Sequence, residues 1–163
     1  LLSSLSPTSQ HHLLLSSPTV VLFPTLSLLK ALGRSPAGSE ELSRESALRT
    51  LLIFGGLSRI AGLEGDAPIG QDPLLPHESE GLRCLCNTLM LHPSARDLFP
   101  VLVMEDKSWV AGIVRLLPVE GAGFLGGRLL FLLTSKPGDI IPELAEKGDV
   151  VAALVEVRIS SRL

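Results

Sequence analysis

Short leucine-rich apolar stretches alternate along this chain with clusters of Ser, Pro, Gly and charged residues. Each stretch has the length of a helix of about two to four turns, and each cluster reads as a connection. "TVVLFPTLSLLKALG" predicts a helix with Pro24 near its start and Gly33 closing it. The polar "RSPAGSEELSRES" places Ser39 and Ser43 to cap one helix running through "SALRTLLIFGGLSRIAG". "LEGDAPIGQDPLLPHESE" reads as a long surface loop, and "HESEGLRCLCNTLML" as a helix stopped at His92-Pro93. "PSARDLFPVLVMED" is a short helix begun by a proline, and "SWVAGIVRLLPV" a helix in preference to a strand. "RLLFLLTS", "GDIIPELAEKG" and "DVVAALVEVRI" complete a chain in which every element reads as a helix.

An internal echo adds organisation to these helices. "ALRTLL" begins at Ala47, "GLRCLC" at Gly81 and "GGRLLF" at Gly126. Each copy has a small residue, an arginine two places on and an aliphatic residue two places beyond that. The offsets of 34 and 45 residues bracket the spacing of armadillo and HEAT units. The expected fold class is therefore all-α, an α-solenoid of armadillo/HEAT-like superhelical repeats, each burying its apolar face on its neighbour. Residues 1–18, biased to Ser, Leu and Pro, are expected to be a disordered tail, and 19–163 the helical repeat domain.

Composition narrows the function more than the fold. An apolar fraction of 45% and a charged fraction of 19% over 163 residues suffice for one domain with a core. The net charge of −3 argues against a nucleic-acid grip, which needs a basic stripe. The two cysteines, Cys84 and Cys86, fall on opposite sides of a helix. They are read as buried packing residues in a reducing compartment, neither bridged nor metal-binding. No apolar run has the length of a membrane span, and the leucine-rich start lacks the basic segment of a secretory leader.

The one phosphate-type pattern is G-x-G-x-x-G at Gly121, Gly123 and Gly126. A dinucleotide site needs a strand before these glycines and a second strand ending in an acid about 20 residues on. Here Pro118 interrupts the preceding run, and Asp139 and Glu143 open a helix-like segment instead. The glycines are read as a helix–helix connection, with Gly126 or Gly127 permitting close packing. No P-loop lysine follows them, and no serine or cysteine stands in a nucleophile motif. His11 and His12 fall in the tail, while His77 and His92 flank a helix where capping or exposure is the default.

"GLRCLCNTLMLHPSARDLF" at 81–99 and "FLGGRLLFLLTS" at 124–135 resemble the synembryn family, exchange factors and chaperones of G-protein α subunits. "LKALGRSP" at 29–36 is similar to the connection before that family's second helical unit, and the likeness spans roughly 26–157. The resemblance implies the N-terminal portion of a longer superhelix whose concave face grips the C-terminal helix of Gα, so that GDP leaves. It implies a partial copy with little exchange activity of its own, and a protein that is not an enzyme. No cofactor, metal or nucleotide is expected on the chain, and it would be cytoplasmic, reaching the plasma membrane only through Gα. Arg49, Arg83 and Arg128 hold the same place in three repeats and would line one face, with Asn87 a turn beyond Arg83. Phe131 and Leu132 would add an apolar wall beside Arg128. Asn87 and Phe131 match partner-contacting positions of that family. The alternative is a generic α-solenoid scaffold that binds another peptide and has no exchange activity.

Overall fold

The computed structural model describes residues 19–62, 74–119 and 121–135. These residues form helices joined by turns, with no strand among them. The helices are α1 (Thr19–Leu32), α2 (Pro36–Ser39), α3 (Glu45–Phe54), α4 (Leu57–Ala61), α5 (Pro76–Leu91), α6 (Pro93–Glu105), α7 (Lys107–Leu116) and α8 (Gly123–Thr134). A 3-10 turn, Glu41–Ser43, lies between α2 and α3. The expected tail at 1–18, the loop at 63–73 and the helices expected after Lys136 lie outside the described residues.

α5 is the central element, packing against α1, α3, α6 and α8. Its sequence explains this position. Gly81, Leu82, Cys84, Leu85, Cys86, Thr88 and Leu89 are buried, so nearly the whole circumference of the helix is covered. What remains open is a stripe at Arg83, Asn87 and Met90, spaced i, i+4, i+7. Pro76 starts the helix where a missing N–H costs nothing, and the Glu78 carboxylate accepts the Leu75 N–H at 2.7 Å. Pro93 follows His92 and opens α6, so the chain turns with almost no linker.

Leu48, Leu51 and Leu52 of α3 and Phe99, Leu102 and Val103 of α6 join α5 in one core cluster. Trp109, Ile113 and Leu116 of α7 and Leu125, Leu129 and Leu133 of α8 extend it. α7 begins on Asp106, whose carboxylate accepts the Ser108 N–H at 2.9 Å. α4 crosses α7 so closely that a Cβ on Gly112 would stand 2.3 Å from the Leu57 carbonyl oxygen. A hydroxyl contact at 2.9 Å between Ser108 and Ser58 ties the same crossing.

Three local expectations are corrected. α1 begins at Thr19, placing Pro24 inside it and not near its start. The single helix expected through 45–61 is two, because the chain turns at Gly55 and Gly56, the latter at φ 66°. Ser39 and Ser43 do not cap α3, whose first N–H groups have no side-chain partner at Arg44. Ser39 is instead buried, donates to the Ser35 carbonyl at 2.8 Å, and lies 2.7 Å from His92 Nε2. His92 is thus a tertiary contact as well as a helix boundary.

Candidate functional site: a cationic groove between α1, α5 and α8

The glycine stretch resolves into a helix–helix connection. Gly121 turns at φ 82°, Gly123 opens α8, and Gly126 lies against α7, where a Cβ would stand 2.9 Å from that of Leu116 and 3.1 Å from the Ile113 oxygen. The run before it is helix α7, so the strand that a dinucleotide turn requires is replaced by a helix. Gly127 faces open space, so close packing belongs to Gly126 alone.

That packing sets α8 beside α5 and creates an open groove of about 560 Å³. The open stripe of α5 supplies Arg83, Asn87 and Met90. The C-terminal end of α1 supplies Lys30 and, just beyond it, Arg34; α8 supplies Phe124 and Arg128. Four cations therefore converge where the chain as a whole carries a net charge of −3. One carboxylate answers them. Glu80, its side chain only 5% exposed, pairs with Lys30 and accepts from Arg83 Nη1 at 2.7 Å and from the Ser27 hydroxyl at 3.3 Å. Burial alone would raise its pKa, but the hydrogen bonds and charges of Lys30 and Arg83 outweigh burial and hold the carboxyl below its ordinary value.

Arg34 and Arg128 have no carboxylate partner among the described residues, so a surplus of three positive charges remains. Arg128 rests over the Phe124 ring at 6.0 Å, a cation–π distance that keeps the guanidinium beside an apolar surface. The Asn87 amide, half-buried, has no hydrogen-bond partner among the described residues. The groove thus offers guanidinium and amide donors beside Met90 and Phe124, both largely exposed. Cys86 also lines it, yet burial pushes its thiol up to about 12, and burial pushes Cys84 up to about 11. Both are free thiols that stay protonated near neutrality.

Of the residues singled out from sequence, Arg83, Asn87 and Arg128 meet in this groove, and Arg49, Phe131 and Leu132 do not. Arg49 does not line it. Its guanidinium is held by Glu105 of α6 at 2.6 Å and Glu45 of α3 at 2.9 Å, and these bonds raise its pKa. The expected row of three arginines on one face is therefore two, because α3 spends its arginine on an ion pair with α6. Phe131 is 66% exposed on α8 and is not part of the groove lining, while Leu132 belongs to the buried core and forms no wall. Phe124 takes the aromatic place instead, seven residues before Phe131 and on the same side of the helix. Sequence reasoning passed over Lys30, Arg34 and Phe124. The first two stand in the quoted "LKALGRSP", and Phe124 stands one turn before Arg128, a spacing that was available as a signal.

By their geometry, the described residues form an all-helical body with an open, cationic and partly apolar groove. Comparison with protein families places it further: residues 25–163 match the family described as guanine nucleotide exchange factor synembryn. The chain belongs to that family. Comparisons with curated proteins and with solved structures give no match. No helix among the described residues is long and apolar enough to cross a membrane.

Proposed function

We propose that this chain is an N-terminal portion of a G-protein α-subunit exchange factor and chaperone, and that the groove between α1, α5 and α8 seats the C-terminal helix of Gα. The observation that carries this reading is the convergence of Arg34, Arg83, Asn87 and Arg128 on one open groove with three uncompensated positive charges. A chain end brings an α-carboxylate, which guanidinium groups bind by charge-assisted hydrogen bonds. An amphipathic helix brings apolar residues for Met90 and Phe124. The family membership supports nucleotide exchange as the consequence.

The mechanism needs no bond made or broken. A groove that binds the terminal helix only when it is drawn away from the nucleotide pocket favours the open state of Gα, and GDP leaves from that state. The same preference shelters newly made, nucleotide-free Gα. In this reading residues 19–163 form an armadillo-like solenoid, Phe131 extends the contact along α8, and the protein works in the cytoplasm, meeting the membrane through Gα.

The test is titration of the chain against GDP-bound and nucleotide-free Gα. Nucleotide-free Gα should bind more tightly. Arg128→Glu combined with Asn87→Ala, which leaves the Glu80 pairs intact, should weaken that binding at least about tenfold while circular dichroism and thermal midpoint stay close to those of the parent. Undiminished binding by the double variant would remove the groove from the proposal.

A further inference from the structure

Among the described residues one serine or threonine precedes a proline: Ser35, before Pro36. Ser35 is exposed and extended, at φ −120° and ψ 150°, and Pro36, Ala37 and Gly38 after it are exposed as well. A kinase that requires proline at the next position reads an extended, accessible serine; Ser35 has that form between α1 and the single turn of α2 (Pro36–Ser39), which has to open for the residues after it to be read. The Ser35 hydroxyl is committed only to accepting the Gly38 N–H at 3.2 Å on the surface, a bond that phosphate oxygens can also accept. The residue before it, Arg34, lines the groove and has no carboxylate partner among the described residues. Adjacent Cα atoms lie about 3.8 Å apart, so a phosphate on Ser35 is within reach of the Arg34 guanidinium.

We infer that Ser35 is a site of phosphorylation by a proline-directed protein kinase, and that its phosphate sits against Arg34 and lowers the positive charge of the groove. The step forms an ester bond between Ser35 Oγ and the γ-phosphorus of ATP. It breaks the bond from that phosphorus to the β–γ bridging oxygen, releases ADP and passes the hydroxyl proton to the kinase's base. The phosphate adds about −1.5 to −2 charges at neutral pH, against a groove surplus of three positive charges. An acidic partner then meets a groove with most of its attraction cancelled. That consequence for affinity rests on the groove being the seat of Gα; the placement of the phosphate does not.

The experiment uses the full chain carrying Ser6→Ala and Ser17→Ala, which removes the two other Ser-Pro pairs of the sequence. Treated with a proline-directed kinase and ATP, it should gain one phosphoryl group, mapped to Ser35 by mass spectrometry and lost in Ser35→Ala. The second ionisation of that phosphate, followed by phosphorus NMR, should fall below its usual value of about 6 and return toward it in Arg34→Ala. Affinity for nucleotide-free Gα should drop about tenfold at low salt and less at high salt. A folded chain left unmodified at Ser35, a titration blind to Arg34→Ala, or unchanged affinity for a Gα that the unmodified chain does bind would each overturn the inference. If the unmodified chain binds no Gα, the groove's assignment fails, and the titration alone decides where the phosphate sits.

Discussion

Glu80 shows how one side chain sets the electrostatics of its surroundings. It holds Lys30 of α1 and Arg83 of its own helix from a nearly buried position. Because its folded pKa lies below the ordinary value of 4.5, its ionised form stabilises the fold above that value. This contribution is lost as the pH falls through the folded value. Arg83 is half exposed and shares its charge with water, so Glu80→Gln is expected to cost about 1–2 kcal/mol at neutral pH, less than the ~3–5 kcal/mol of a fully buried pair. Urea unfolding followed from neutral to acid pH should show the gap between variant and parent closing below about pH 4.5. The role of Glu80 was not legible in "HESEGLRCLC", because its main partner is a lysine on another helix. Arg83 and Asn87 were legible, since polar residues a turn apart on an otherwise apolar helix stand out locally.

Between elements, the glycines decide how closely helices approach. Gly112 lets α7 lie on the backbone of Leu57, whose oxygen, carbonyl carbon and Cα would stand 2.3, 2.8 and 2.9 Å from an added Cβ. Backbone cannot swing aside as a side-chain tip can. Gly112→Ala should therefore lower stability by about 1–3 kcal/mol, against a gain in helix propensity of about 1 kcal/mol. Gly127 lies within α8 with nothing inside 4 Å of its added Cβ, so Gly127→Ala should raise stability by about 0.5–1 kcal/mol. Thermal midpoints of the two variants should move in opposite directions. The positions of most helices followed from local pattern: α5 and α6 formed where their apolar runs and prolines placed them, while α8 begins at Gly123, five residues before the expected "RLLFLLTS". The break at Gly55-Gly56 did not follow, because Gly55 faces Leu82 across an interface that only the fold creates.

For the molecule as a whole, what matters is which charges meet. Arg128→Ala should weaken Gα binding roughly tenfold, whereas Arg49→Ala should leave it within about twofold and cost less than about 1 kcal/mol of stability. Calorimetric titration and thermal unfolding of both variants distinguish a groove arginine from one held in an ion pair between α3 and α6. The sequence by itself determined the helical class, most of the element boundaries and the family, because periodicity, turn residues and motifs are properties of neighbouring positions. It also marked Arg83, Asn87 and Arg128, the one part of the groove that a repeat could reveal. Only the tertiary structure decided that Arg49 is neutralised, that Leu132 is core, and that Lys30, Arg34 and Phe124 belong with the others. Those outcomes depend on distances between α1, α3, α5, α6 and α8, and a charge is cancelled or left free by what packs beside it, however far away that neighbour lies along the chain.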